Sequence, residues 1–221
     1  MRMTSVVMRL RRLCAGGLEF QNKDDMLSHG MQLLHHPRLQ GHEVTEDRTE
    51  RRQRRLVRPT ERYDCALYRC DGASQVITID GEQHRVGGSG AAYFASGTDQ
   101  VNPVATAYTY LGPDITNNVA EYHGLIDSLT HAGHNRFHRV CVQSDSLIVV
   151  KQVRCEWACR NSQLRALFGV VRSMLLALRR RGANVIIEHI YREYNHVADG
   201  LAAEAIRSQA SKAWESVSHD P

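Results

Sequence analysis

A mixed α/β fold is predicted for most of this chain: a five-stranded sheet, three antiparallel strands followed by two parallel ones, flanked by helices. Three observations predict it. Residues 63–111 hold strand-like runs separated by turn signals. Residues 116–207 alternate helical stripes with short apolar runs. The run VIIEHI at 185–190 is continuously apolar, which suits a strand buried on both faces.

The first strand, YDCALYRC, ends at Asp71, and Gly72 breaks it. Ser74 to Gly88 carries its own turn signal at Asp80-Gly81 and reads as a hairpin extension. GSGAAYFA and ATAYTYL are two further strands, giving an antiparallel opening. TNNVAEYHGLIDSL at 116–129 is a helix: Tyr122, Leu125, Ile126 and Leu129 form one stripe, and Asn117 and Asn118 stand where capping side chains belong. Arg139 to Gln143 is a short strand running into Ser144, Asp145 and Ser146, and 146–156 is a short helix. Asn161 or Ser162 caps a longer helix with Leu164, Leu167, Phe168, Val171, Met174, Leu175 and Leu178 on its stripe, stopped by Gly182. Asn184 to Ile190 is a strand, and Asn195 opens a last helix with Ala198, Leu201, Ala202 and Ala205 on one face.

The 221 residues, 42% hydrophobic, allow one ordinary domain plus an extension. Residues 1–62 hold 13 Lys+Arg against 8 Asp+Glu, leaving 15 against 16 for residues 63–221. The expected division is therefore a basic, disordered extension (1–62), a catalytic domain (63–210) and a C-terminal tail (211–221). The Arg cluster from Arg51 to Arg58 suits phosphate contacts, nuclear import or a solvated linker. The first 15 residues, with four Arg and no acid, resemble a short mitochondrial presequence and not a secretory signal. No apolar run approaches a membrane span. Six cysteines (14, 65, 70, 141, 155 and 159) form no CxxC pair and read as reduced thiols of an intracellular protein, with nucleus, cytoplasm and mitochondrion left open. His131, His134 and His138 cluster between a helix and a strand, where a polar loop outweighs a zinc site.

Four acids stand out. Glu121 lies on the edge of a buried stripe, where a carboxylate is costly unless paired. Asp71 and Asp145 end strands, and Asp199 is in the first turn of the last helix. Neighbouring strands can set Asp71 beside Asp145, and helices packed on the sheet can aim Glu121 and Asp199 at the same point. Such a cluster repels itself unless cations neutralise it, and hard divalent ions with oxygen ligands do so.

DGAS at Asp71, TNNVAEYHGLI around Glu121, SDSLIVVKQV at Asp145 and HIYREYNHVADGLAAEA around Asp199 together resemble the type 1 ribonuclease H family over roughly residues 63–207. The HxxRxxNxxAD form, and Trp157 soon after KQV, look most like its short archaeal and plant-type branch. The resemblance implies the ribonuclease H-like fold and a two-metal endonuclease that cuts the RNA strand of RNA/DNA hybrids. Asp71, Glu121, Asp145 and Asp199 would be its metal-binding catalytic acids, with two Mg²⁺ ions, or Mn²⁺ instead. It implies Arg192 and His189 as further catalytic residues, and Gly72, Ser74, Thr116, Asn117, Asn118, Ser146 and Asn195 as substrate contacts. His189 equally suits a core histidine by its apolar setting, and Asn195 equally suits a helix cap. The expected partner is an RNA/DNA hybrid, not a membrane, and the chain is expected as a monomer.

The sequence departs from the family in several places. QVITIDGEQHRVGGSG replaces a short Gly/Asn/Pro-rich turn, Leu147 stands where many bacterial relatives carry Gln, and no Lys-rich handle precedes the Leu164 helix. Residues 1–62 show no match to the hybrid-binding domain of eukaryotic ribonucleases H. A non-catalytic nucleic-acid-binding module and a retroelement-derived fragment are the alternatives. A 3′–5′ exonuclease of the superfamily is disfavoured, because Asp71 is followed by Gly72 and Ala73 and not by a D-x-E pattern.

Overall fold

The computed structural model describes residues 65–79, 81–95 and 101–217. The basic segment 1–62, with its Arg cluster and presequence-like start, lies outside these residues, as do Asp80 of the expected hairpin turn and residues 218–221. Along the chain run β1 (Ala66–Ile79), β2 (Glu82–Phe94), β3 (Ala105–Pro113), α1 (Asn117–His134), β4 (Arg139–Ser144), α2 (Leu147–Val153), α3 (Ser162–Arg180), β5 (Asn184–His189), a 3-10 turn (Arg192–Tyr194), α4 (His196–Ser208) and β6 (Lys212–Ser216). The strands form one mixed sheet in the order β5-β4-β1-β2-β3-β6. Pairs β1–β2, β2–β3 and β3–β6 are antiparallel, while β1–β4 and β4–β5 are parallel.

Several sequence expectations change here. The sheet has six strands, because Lys212–Ser216, expected within a tail, pairs with the free edge of β3. That stretch is short and mostly polar, so no alternation marks it. What holds it down is Trp214, whose ring stacks on His131 at 4.1 Å and meets Tyr68 edge-on at 5.9 Å. Gly72 does not break β1: the ladder with β2 runs on from Leu67↔Phe94 to Ile79↔Glu82, and Gly72 pairs with Ser89 within it. Finally, β5 is an edge strand buried on one face only, since Val185 and Ile187 enter the core while Ile186 stays 40% exposed.

Most of the core lies between the sheet and α1 with α3. Tyr122, Leu125, Ile126 and Leu129 of α1 meet Leu164, Leu167, Phe168, Val171, Leu175 and Leu178 of α3 and the Tyr68 face of the sheet. Each such buried aliphatic side chain contributes about 1.5–3 kcal/mol. A smaller cluster (Cys65, Leu67, Ala92, Phe94, Cys141) lies on the opposite face under Val197 and Leu201 of α4. That helix rides close because β2 presents Gly90, where a Cβ would fall 2.4 Å from the Ala198 carbonyl oxygen. Asn161 caps α3 by accepting the Leu164 N–H at 3.0 Å, a bond worth about 1 kcal/mol. At α1 the cap position is Thr116, with no side-chain cap bond, so Asn117 and Asn118 already belong to the helix.

Candidate metal centre

The centre begins with strand register. The parallel ladder pairs Cys70 of β1 with Ser144 of β4, so Asp71 and Asp145, the next residue in each segment, stand side by side. Glu121 comes from the other direction. A Cβ at Gly72 would sit 2.0 Å from the Glu121 backbone nitrogen, and one at Gly124 would sit 2.6 Å from the Asp71 carbonyl oxygen. Only two glycines facing each other let α1 descend onto β1 far enough to deliver Glu121. The side-chain oxygens of Asp71, Glu121 and Asp145 thereby lie within 4.8 Å of one another.

Asp71 and Glu121 are buried, whereas Asp145 is half-buried. Burial, followed by the neighbouring Asp145 charge and a hydrogen bond to it, pushes Asp71 up to about 8. Burial, followed by the charges of Asp71 and Asp145, pushes Glu121 up to about 9. The Gly72 N–H acts against both shifts. Glu121 Oε1 accepts from Asn117 Nδ2 at 3.4 Å, but Glu121 Oε2 is buried with no hydrogen-bond partner. An orphaned carboxylate oxygen among mutually repelling carboxyls, all hard oxygen donors, fits a divalent cation.

Three of the four expected acids therefore meet. Asp199, in the first turn of α4, stands outside the trio, and its carboxylate accepts from the Arg192 guanidinium at 2.6 Å. It is 40% exposed and Arg192 is 77% exposed. Its charge still contributes to raising Asp71. His189 ends β5 exposed, with its ring 6.0 Å from Tyr191, and so is not a core residue. Thr116 and Asn117 are exposed at the start of α1, with Asn118 half-buried. Gly72 serves the close approach of α1, and the Ser74 hydroxyl donates to the Ile115 carbonyl at 2.9 Å. Ser146 is the N-cap residue of α2, and its N–H donates to Ser144 Oγ at 3.1 Å.

Asn195 holds the N-cap position of α4, as expected, but its side chain does not cap: it is fully buried and donates to Cys70 and Asp145. Sequence reasoning missed this because a capping Asn and a bridging Asn look identical before a helix. Tyr191 and Tyr194, on either side of Arg192, are 51% and 41% exposed. The histidine cluster gathers no metal ligands among the described residues: a His131 ring nitrogen is hydrogen-bonded to the Tyr68 hydroxyl at 2.8 Å, and its ring packs on Trp214.

The model of the family described as reverse transcriptase-like matches residues 79–205, more than half the chain and a span that includes Glu121, Asp145 and Asp199. The chain belongs to this family. Within it, the fold is that of type 1 ribonucleases H. The chain matches ribonuclease H1 of the archaeon Halobacterium salinarum at 28% identity and a TM-score of 0.54, covering 65% of this chain and 98% of that one. LC11-RNase H1, solved in complex with an RNA/DNA hybrid, matches at 25% identity and a TM-score of 0.54, with 65% and 98% covered. The N-terminal RNase H domain of a Mycobacterium tuberculosis protein matches at 29% identity and a TM-score of 0.52, with 63% and 96% covered. Over 98 residues, 44% of this chain, identity to that bifunctional protein is 37%, and the match spans 26% of its full length. Among the described residues, no helix is long and apolar enough to cross a membrane.

Proposed function

We propose that this protein is a divalent-cation-dependent endonuclease that hydrolyses the RNA strand of RNA/DNA hybrids. The observation that carries the reading is the convergence of Asp71, Glu121 and Asp145 within 4.8 Å, at the C-terminal end of a parallel strand pair. The sheet and helices around them are those of a fold that another protein uses with a hybrid bound. Asp71, Glu121, Asp145 and Asp199 would hold the cations. When bound, two Mg²⁺ ions, or Mn²⁺ in their place, supply the Lewis acidity that activates a water and stabilises the leaving oxygen of a phosphodiester.

The chain's own groups do the rest. Buried carboxyls that resist ionising give up their protons when a cation compensates their charge. Arg192, exposed beside Asp199, offers a planar donor pair to a phosphate or to the charge that develops during cleavage. Thr116, Asn117 and the first turn of α1 offer side-chain and backbone donors to the substrate backbone. His189, exposed at the end of β5, offers an imidazole for proton transfer. Selection of the RNA strand follows from contacts to the 2′-OH in the shallow minor groove.

Incubating the full chain with labelled hybrid, duplex RNA and duplex DNA, with and without chelator, tests the reading. Internal cuts in the RNA strand of the hybrid alone, abolished by chelator, are expected. Hybrid binding without cleavage would leave a non-catalytic binding module. Cleavage that persists in chelator would remove the acids from the chemistry.

A further inference from the structure

Asn195 immediately precedes α4 and is fully buried. Its backbone carbonyl accepts the first helical hydrogen bond, from the Asp199 N–H at 3.0 Å, but its side chain caps nothing. Instead, its amide nitrogen donates to the Cys70 carbonyl at 3.1 Å and to Asp145 Oδ1 at 2.9 Å. Both partners can only accept, so the orientation of the amide is dictated: turned over, Oδ1 would face two oxygens. In the orientation adopted, Asn195 Oδ1 is left buried with no partner. An asparagine serving only as a helix cap would satisfy that oxygen with helix N–H groups and would not spend its amide hydrogens on the metal centre.

Resting on the cation-site reading above, we infer that Asn195 is a positioning residue that sets the Asp145 carboxylate for cation binding. Asp145 lies between β4 and α2, half-buried and with no strand ladder of its own. The bond from Asn195 fixes one of its oxygens and with it the plane of the carboxylate. The same amide group grips the Cys70 carbonyl next to Asp71, and the Asn195 backbone starts the helix that carries Asp199. One neutral residue, reaching two acids through its side chain and the third through its backbone, thus registers the carriers of three acids against each other. Its neutrality matters, because an Arg or Lys in its place would hold Asp145 but cancel the charge a cation needs. Groups that orient a ligand in this way typically change metal affinity by about 10–100-fold when removed.

The experiment is calorimetric titration of the full chain with Mn²⁺, free of nucleic acid, alongside thermal melts in EDTA. Asn195→Ala should bind Mn²⁺ about 10–100-fold more weakly. Asn195→Ser, whose hydroxyl can donate to only one of the two acceptors, should fall between. Asn161→Ala, which removes the α3 cap away from the centre, should lower the melting temperature and leave Mn²⁺ affinity unchanged. In an Asp145→Asn background the further loss from Asn195→Ala should vanish, since the residue acts through Asp145. Wild-type affinity in Asn195→Ala overturns the inference, as does an equal loss in Asn161→Ala. If Asn195→Ala does not fold, wild-type affinity in Asn195→Ser overturns it. Absence of Mn²⁺ binding by the wild-type chain would instead remove the cation-site reading itself.

Discussion

Replacing Asp71 by Asn should make the cation-free protein more stable at pH 8. The folded carboxyls of Asp71 and Glu121 lie at about 8 and about 9, against ordinary values of 3.8 and 4.5. Both are raised, so the stability they contribute is complete below about pH 4 and is lost as pH rises through 8 and 9. Between pH 5 and 8 the folded state keeps protons that the unfolded chain has released. Stability then falls by up to about 1.4 kcal/mol per pH unit for each such proton. For Asp71 the span from 3.8 to about 8 sets a ceiling of about 6 kcal/mol. Asn keeps the size and discards the charge, and its gain is smaller than the ceiling because burying its amide in place of the carboxyl carries a cost of its own. Calorimetric melts in EDTA at pH 5, 6, 7 and 8 on both proteins cancel the contribution of surface acids. At pH 8 the variant should melt at least about 3 °C higher, roughly 1 kcal/mol for a chain of this size. The gap should close towards pH 5. Millimolar Mn²⁺ should reverse the order, because ligand binding stabilises only the form that retains the site. Hybrid cleavage by the variant should be lost. A wild-type melting temperature flat from pH 5 to 8, together with a variant that melts lower at pH 8, would show that these carboxyls carry no strain.

Arg192→Ala should lower turnover by roughly 10²-fold, the low end for loss of one electrostatic donor. Its ion pair with Asp199 is exposed, so stability should change by less than about 1 kcal/mol. Arg192→Lys should recover only part of the rate, and steady-state kinetics beside melts decide; lost stability with unchanged turnover would make Arg192 a structural partner of Asp199. Deleting residues 1–60 should preserve the chemistry, weaken hybrid binding and flatten its salt dependence, because this segment carries the chain's surplus of positive charge. An unchanged salt slope in a binding titration would show that the Arg cluster does not touch nucleic acid.

Much of this protein was legible without coordinates. The stripes of α1 and α3, a cap for α3 at Asn161 or Ser162 and the convergence of Asp71, Glu121 and Asp145 depend on local periodicity and on chemistry that resists burial, and both are written in the residue order. What needed the tertiary structure was whatever depends on a second segment far along the chain. Gly72 reads locally as a strand breaker, and only the arrival of α1, some 50 residues on, turns its missing Cβ into the space that brings Glu121 to Asp71. VIIEHI reads as doubly buried, but a strand's neighbours and covering helices are set by topology, and at the sheet edge one face stays open. KAWES carries too little apolar character to announce a strand, yet the unpaired edge of β3 and the ring of His131 make it one. Asn195 differs from an ordinary cap only in which distant carbonyl and carboxylate its amide finds, Cys70 and Asp145. Hydrophobic pattern and capping preference act between near neighbours, and sequence therefore encodes them directly. Close approach, edge position and the choice of a buried hydrogen-bond partner act across 50 to 125 residues, and are decided only when the chain has packed.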